Sequence, residues 1–184
     1  RRALVVEAMA KLTAARDAVR AAGLDCAILT GGGTGSFPID LELGVLTELQ
    51  PGSYVTMDTN YGKVALEATG DAHPLGHPLT VLTSVISRPT ADRAVVDVGW
   101  KAASNDGGLP VVQGRPDLAF EFAGDEHGIV RAAAGAALTL VTGDRLALIP
   151  SHCDTTVNLY DRFVVHRAGR PEGEWPIAAR GRSQ

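Results

Sequence analysis

The chain has little cysteine, few aromatic residues and no net positive charge. Two cysteines in 184 residues, Cys26 and Cys153, are too few for a disulfide framework, so we expect a cytoplasmic protein. The net charge of −4 offers no general attraction to nucleic acid or to an anionic membrane, and neither is an expected partner. No apolar run approaches the roughly 18 residues that span a bilayer, and the first residues have no long apolar core typical of a signal peptide.

Glycine, by contrast, is frequent, with 21 residues, and 45% of the chain is hydrophobic against 21% charged. This composition is typical of a globular protein long enough for one domain, or for one domain and part of another. Glycines between short apolar runs predict tight turns and a strand-rich body. The chain starts without Met and within a helical pattern, which is how a fragment or a processed chain would look.

The first third of the chain reads as alternating helices and strands. Apolar spacings of three and four predict an amphipathic helix over residues 3–22, and the short apolar run 25–30 predicts a buried parallel strand. A glycine-rich loop, residues 31–36, follows that strand. A second unit is predicted as a helix over 41–49 and a strand over 53–58. Helix, strand and glycine loop together form one unit of an α/β barrel or a doubly wound sheet.

The rest of the chain reads as mainly β. A loop-like segment from residue 60 to 78 places the predicted domain boundary between residues 1–75 and 76–184. Beyond it, β-branched runs separated by turn signals predict strands with the spacings of a β-sandwich or barrel. These predicted strands cover residues 79–86, 94–98, 118–122, 129–132, 137–141, 145–149 and 161–166.

The glycine loop is the first candidate for chemistry. Its glycines let backbone N–H groups approach an anion, and the hydroxyls of Thr34 and Ser36 add donors, which suits a phosphate. The loop matches neither the dinucleotide fingerprint nor the P-loop with its lysine. A plain glycine-rich turn is therefore the alternative reading.

The second candidate is the pair His152 and Asp154, which follows the predicted strand 145–149. If the strand continues, the two side chains point to the same face, while Cys153 points to the opposite one. An imidazole and a carboxylate that converge suit a divalent ion such as Mn²⁺ or Zn²⁺. A structural hydrogen-bonded His–Asp pair is the alternative, and the spacing alone favours it.

Two further segments are weaker candidates. Glu126, His127 and Gly128 lie between two predicted strands and read as a turn with a solvated acid and a histidine. Lys101 follows a strand beside Trp100, as a Schiff-base lysine could. A half-covered surface lysine is the more common reading of that position.

Six segments in this order resemble the family of D-threonine aldolase and D-serine dehydratase, which are pyridoxal 5'-phosphate enzymes. They are residues 30–35, 48–58, 85–89, 96–104, 126–128 and 150–158, and the resemblance covers essentially the whole chain. Members have an alanine-racemase-like α/β barrel, of the TIM type, followed by a β-domain. The resemblance implies that residues 1–75 are the last βα units of the cofactor-binding barrel and that residues 76–184 are the β-domain with the metal site.

The resemblance also implies two groups of site residues. His152 and Asp154 would bind the divalent metal, with Mn²⁺ favoured and Zn²⁺ or Mg²⁺ possible. In the dehydratase branch the corresponding pattern is His-x-Cys, so Asp154 favours the aldolase branch. The cofactor phosphate would be surrounded by Gly32, Gly33, Thr34, Gly35, Gly52, Ser53 and Tyr54.

The activity implied is cleavage of β-hydroxy-D-amino acids such as D-threonine to glycine and an aldehyde. The alternatives are a D-serine or D-3-hydroxyaspartate dehydratase and a non-catalytic, truncated β-domain. The family's cofactor lysine lies on an early barrel strand, and neither Lys101 nor any other residue here matches it. We therefore expect this chain alone to be inactive and to need the N-terminal barrel portion. The resemblance also implies a homodimer, whose active site lies between the barrel of one subunit and the β-domain of the other.

Overall fold

The computed structural model describes residues 1–66, 74–133 and 136–182. The chain divides into two compact units, Arg1–Val55 with Tyr61–Gly76, and Thr56–Asn60 with His77–Gln184. The short segment Thr56–Asn60 thus belongs to the second unit although it precedes the predicted boundary. Residues 67–73 of the predicted connecting loop lie outside the described residues.

The first unit begins with the predicted amphipathic helix, which is confirmed as α1, Arg2–Ala21. None of its residues is buried, and Leu4 is 70% exposed. Gly23, with a φ of 77°, follows the helix in the left-handed conformation that glycine adopts most readily.

Two short parallel strands, β1 (Thr30–Gly31) and β2 (Glu48–Leu49), flank the helix α2 (Phe37–Leu43). The predicted strand 25–30 pairs only at its last residue, because β2 pairs with Thr30 and Gly31 alone. The predicted helix 41–49 is wrong. A proline in the first turn starts α2 earlier, and Gly44, left-handed with a φ of 60°, ends it.

The predicted strand over residues 53–58 is also wrong. Ser53–Val55 forms a single 3₁₀ turn, and Met57 has a φ of 46°, which interrupts an extended conformation. Met57 and Asp58 are both fully buried. The segment therefore ends in two consecutive buried residues and does not form a strand. A second 3₁₀ turn covers Tyr61–Lys63.

The second unit is built on a six-stranded antiparallel sheet in the order β5-β8-β3-β4-β7-β6. The edge strands β5 and β6 also lie in contact, so the sheet nearly closes into a barrel. The strands are β3 (Val81–Thr90), β4 (Arg93–Val96), β5 (Val111–Val112), β6 (Leu118–Phe122), β7 (Gly128–Ala132) and β8 (Arg145–Ile149).

Alternating residues of this sheet form the core. Val85, Val96, Val130 and Leu148 are almost completely buried, and burying each such side chain contributes roughly 1.5–3 kcal/mol. The predicted strand 137–141 is wrong, because residues 136–141 run without strand pairing. Its alternation has another cause, since Leu138 and Leu140 are buried in the same core.

Beyond β8 the chain forms a short helix, α3 (Cys153–Val157), and a hairpin of β9 (Arg162–Arg167) and β10 (Arg170–Pro176). The predicted strand 161–166 is confirmed as β9, shifted by one residue. Among the described residues, none of the helices combines the length and the apolar character needed to cross a membrane.

Candidate metal and cofactor sites

His152 and Asp154 converge, but not by the predicted route. Strand β8 ends at Ile149, and His152, with a φ of −146° and a ψ of 121°, is the extended residue directly before α3. Asp154 lies in the first turn of α3, and its Oδ2 atom is 3.2 Å from Nε2 of His152. A helical turn, rather than strand alternation, therefore brings the two side chains together.

Asp106 holds the other side of the imidazole ring, and the sequence reasoning missed it. Its Oδ2 atom is 2.6 Å from Nδ1 of His152, and its Oδ1 atom accepts hydrogen bonds from Ser104 Oγ at 2.6 Å and Thr155 Oγ1 at 2.9 Å. The hydrogen bond from Ser104, followed by that from His152, holds the pKa of Asp106 well below its usual value. The carboxylate is therefore ionised and accepts a hydrogen bond from Nδ1–H of His152.

This arrangement defines the tautomer of His152. Because Nδ1–H donates to Asp106, the neutral ring carries its lone pair on Nε2, on the side of Asp154. The same hydrogen bond raises the pKa of His152, and a metal ion would bind Nε2 only when that nitrogen carries no proton. A ligating histidine commonly has its second nitrogen bonded to a carboxylate in this way.

The two groups are accessible to a cation. The side chain of His152 is 30% exposed and that of Asp154 is 78% exposed. Over the ranges that the structure describes, three or more His, Cys, Asp or Glu side chains are nowhere grouped to hold an ion. Two protein ligands would leave most of the coordination sphere to water or to substrate oxygens.

Close backbone packing supports the turn that carries these side chains. Thr59 N–H donates to the carbonyl of Pro150 at 3.0 Å, and Asn60 N–H donates to that of Ser151 at 3.3 Å. A Cβ atom on Gly107 would lie 2.6 Å from the carbonyl oxygen of Ser151. Glycine at this position therefore lets the loop of Asp106 approach His152.

Cys153, between the two candidate ligands, faces inward. It is 4% exposed, and its Sγ donates to the carbonyl of Met57 at 2.8 Å. Burial raises the pKa of Cys153 to about 11, so it stays a neutral thiol at physiological pH. The predicted exclusion of Cys153 from the ligand set stays a prediction, and these contacts agree with it.

The two segments proposed around the cofactor phosphate meet in the first unit. Tyr54 N–H donates to Thr34 Oγ1 at 3.0 Å, and Thr34 is only 3% exposed. Each segment follows the carboxyl end of a parallel strand, which is where α/β sheets bind ligands. A Cβ atom built on Gly33 or Gly52 would meet nothing within 4 Å, so an anion has room against this backbone.

Asp40 shapes the glycine loop from behind and was not identified from the sequence. Gly33 N–H donates to Ser36 Oγ at 3.1 Å, and that hydroxyl donates to Asp40 Oδ2 at 2.7 Å. Asp40 is 2% exposed, and its Oδ1 has no partner in the described part of the chain. Gly32, with a φ of 70°, has no space for a Cβ atom because the Asp40 carboxylate occupies it. Gly32 is therefore explained by the fold of the loop.

Lys101 lies on the surface and pairs with Glu126 at 2.9 Å, with side chains 63% and 67% exposed. The hydrogen bond that Lys101 donates to Glu126 raises the pKa of Lys101, which keeps the ammonium protonated. His127 is exposed, and Gly128 is buried because the ring of Phe120 occupies the space of a Cβ atom. These contacts agree with the surface-lysine and turn readings.

Comparison with known proteins identifies the relatives of this chain. Residues 78–166 match the family described as "Putative serine dehydratase domain". The chain is 42% identical over 185 residues to the 3-hydroxy-D-aspartate aldolase of Paracoccus denitrificans (strain Pd 1222), covering 99% of this chain and 47% of that protein. The chain thus spans about half the length of the curated relatives it matches.

Solved structures show the same relationship. The D-threonine aldolase of Filomicrobium marinum superimposes with a TM-score of 0.90 at 38% identity, over 98% of this chain and 49% of that one. The D-threo-3-hydroxyaspartate dehydratase of Delftia sp. HT23 gives 0.75 at 31% identity, over 95% and 50%. A cysteine-to-alanine mutant of D-threo-3-hydroxyaspartate dehydratase was solved in a metal-free form. The predicted fold class, alanine-racemase-like followed by mainly β, is confirmed.

Proposed function

We propose that this chain, in which residues 78–166 match the serine dehydratase family and which is similar to D-threonine aldolase and 3-hydroxy-D-aspartate aldolase, forms part of a metal-dependent aldolase. The substrates are β-hydroxy-D-amino acids such as D-threonine, and the products are glycine and an aldehyde. The cofactors are pyridoxal 5'-phosphate and a divalent metal, with Mn²⁺ favoured over Zn²⁺ and Mg²⁺.

The observation that carries this proposal is the geometry around His152. Asp106 holds Nδ1 at 2.6 Å, and Asp154 Oδ2 is 3.2 Å from Nε2, so the second ring nitrogen and a carboxylate oxygen face each other. This donor set suits a borderline divalent cation. His152 and Asp154 would hold the ion, and Asp106 would fix the ring that presents Nε2 to it.

The small number of proposed protein ligands determines the chemistry that the ion would supply. An ion held by these two side chains would keep open positions, at which it would make a bound substrate hydroxyl more acidic. The chain's own contribution is thus to bind and orient the β-hydroxyl.

Pyridoxal phosphate, when bound, supplies the electron sink for cleavage of the Cα–Cβ bond. The contact between Thr34 and Tyr54 supports a phosphate site formed by residues 32–35 and 52–54. Gly33 and Gly52 leave the space for the anion, and Asp40 anchors the loop through Ser36. The lysine that holds the cofactor has no counterpart in this chain, so the N-terminal barrel portion has to supply it.

The proposal is tested with the full-length protein, D-threonine and Mn²⁺. We expect metal-stimulated release of glycine and acetaldehyde, and we expect Asp154→Ala to abolish the stimulation while cofactor absorbance is retained. Asp154→Cys should retain Zn²⁺ binding, because a thiolate is a competent zinc ligand. An Asp154→Ala enzyme that keeps its metal-stimulated rate would contradict the proposal.

Product analysis separates the aldolase from a dehydratase. A dehydratase releases ammonia and a keto acid from D-serine or 3-hydroxy-D-aspartate, and it releases no aldehyde. The aldolase reading is favoured because Asp154 occupies the second position after His152, where the resemblance gives the dehydratase branch a cysteine. We expect the residues of this chain alone to form no active enzyme.

We further propose that the intact protein acts as a homodimer, with the active site completed by the β-domain of a second subunit. Sedimentation of the full-length enzyme at assay concentration tests this point. An enzyme that is fully active and strictly monomeric would refute it.

A further inference from the structure

Asp58 lies far from the metal-binding turn in the sequence but directly beneath it in the second unit. It is 0% exposed, and its Oδ2 atom accepts a hydrogen bond from the backbone N–H of Cys153 at 3.2 Å. Cys153 is the residue between the two proposed metal ligands, His152 and Asp154. One buried carboxylate is therefore bonded to the peptide that links both ligands.

The neighbours of Asp58 extend this contact along the turn. Cys153 Sγ donates to the carbonyl of Met57, and Thr59 N–H donates to the carbonyl of Pro150. Residues 57–60 therefore run along residues 150–153 and bond to them at each end. His77 Nε2 also contacts this segment, at 3.2 Å from the Asp58 carbonyl oxygen.

The backbone of this segment is held in an unusual conformation. Met57 has a φ of 46°, a region that residues other than glycine rarely adopt, although it is fully buried. Such a conformation persists only where surrounding contacts enforce it, and it is common next to functional sites. At Met57 it directs the following carboxylate toward the N–H of Cys153.

We propose that Asp58 is a positioning residue that sets the geometry of the metal site through the backbone of Cys153. The inference rests on the proposed function, in which His152 and Asp154 are the ligands. Asp106 orients the imidazole from the side, whereas Asp58 fixes the peptide from which both ligand side chains extend. A buried carboxylate is costly unless its oxygens are bonded, which makes a purely space-filling role a poor use of this residue.

The first test compares Asp58→Ala with Asp58→Asn in the full-length protein. Asparagine keeps an oxygen that can accept the Cys153 N–H, and alanine does not. Affinity for Mn²⁺ is measured by electron paramagnetic resonance titration, at a temperature where circular dichroism shows both variants folded. We expect Asp58→Ala to bind Mn²⁺ about 10-fold more weakly or worse, and Asp58→Asn to stay within a few-fold of wild type. An Asp58→Ala protein with wild-type affinity would overturn the inference.

The second test removes the donor and does not depend on the folding of Asp58→Ala. Cys153 is the first residue of α3, where proline is tolerated, and the extended His152 is compatible with a following proline. Cys153→Pro loses both the N–H and the thiol, whereas the matched Cys153→Ala loses the thiol alone. We expect Cys153→Pro to bind Mn²⁺ about 10-fold more weakly than Cys153→Ala. Equal affinities would contradict the role of Asp58.

These measurements distinguish failure of the proposed function from failure of the proposed role of Asp58. A wild-type protein that binds neither Mn²⁺, Zn²⁺ nor Mg²⁺ refutes the proposed function. A wild-type protein that binds Mn²⁺, with both alanine and proline variants binding it equally well, refutes only the role of Asp58.

Discussion

The Nδ1 atom of His152 lies 2.6 Å from the Oδ2 atom of Asp106, and this contact turns Nε2 toward Asp154. Ser104 and Thr155 also donate hydrogen bonds to Asp106. These bonds fix the position of the carboxylate that contacts the ring. The proposed metal site would therefore depend on Asp106, which is not one of its two proposed ligands.

Asp106→Ala should weaken metal binding, because the imidazole loses the partner that fixes both its tautomer and its orientation. We expect a loss of about 10–100-fold in Mn²⁺ affinity, measured by titration of the full-length protein, and a smaller loss for Asp106→Asn. Asp161→Ala, which removes an exposed carboxylate paired with Arg180, is the matched control and should leave the affinity unchanged. Unaltered binding by Asp106→Ala would mean that the ring is oriented by other contacts.

Substitutions at two adjacent glycines, Gly32 and Gly33, should distinguish the folding of the glycine loop from its proposed binding of phosphate. Gly32→Ala places a Cβ atom against Asp40 at a φ of 70°, and we expect it to destabilise the protein by about 1–2 kcal/mol. Gly33→Ala meets nothing within 4 Å and should unfold like wild type. In the full-length protein, however, the methyl group of Gly33→Ala should lower the affinity for pyridoxal phosphate.

Urea unfolding measures the stability of these two variants, and absorbance titration measures their affinity for pyridoxal phosphate. If Gly33→Ala binds pyridoxal phosphate as tightly as wild type, the loop does not hold the phosphate.

The two cysteines should differ in reactivity. Burial raises the pKa of Cys153 to about 11, and its Sγ donates to Met57, whereas Cys26 is partly exposed. We expect Cys26 to react with a maleimide in the folded protein and Cys153 to react only after denaturation. Peptide mapping by mass spectrometry measures the two sites separately, with Cys26→Ser as the control. Rapid labelling of Cys153 under native conditions would show that the turn opens.

Asp97 should make the second unit sensitive to acid. It accepts hydrogen bonds from Thr83 Oγ1 at 2.7 Å and from Ser84 N–H at 2.8 Å. Partial burial opposes ionisation of Asp97, but these hydrogen bonds outweigh it, and its pKa is lowered. A folded-state pKa below the unfolded value gives stability that is present above the unfolded pKa of about 3.9 and is lost as pH falls through the folded pKa.

Denaturant unfolding of wild type and Asp97→Asn at pH 7 and pH 3 tests this expectation. The difference between the two proteins should be largest at pH 7 and shrink at pH 3. A difference that grows on acidification would contradict the assigned direction.

Much of the fold followed from sequence pattern, and the failures have physical causes. Helix α1 and strands β6, β8 and β9 were predicted within one or two residues, because their period matches one buried or amphipathic face. Residues 137–141 show the same alternation and yet form no strand, since burial of alternate residues does not require strand pairing. The sequence pattern indicates which residues are buried. Whether a segment pairs with another strand depends on the rest of the chain.

The candidate site shows the same limit. His152 and Asp154 were identified, but their convergence was predicted from a strand that continues through both residues. In the structure, that strand ends at Ile149. Asp58 and Asp106 were missed because they lie far from His152 in the sequence, and no local spacing connects them. Gly107, which the close approach of Ser151 requires, was not identified from the sequence either.

The central claim is that His152 and Asp154 bind one divalent cation together. Anomalous scattering from a crystal of the full-length protein grown with Mn²⁺ tests it most directly. We predict one strong peak within coordination distance of both His152 Nε2 and the Asp154 carboxylate, with the remaining positions filled by water or substrate oxygens. A manganese peak bound by other residues, or no peak at these two, would contradict the account.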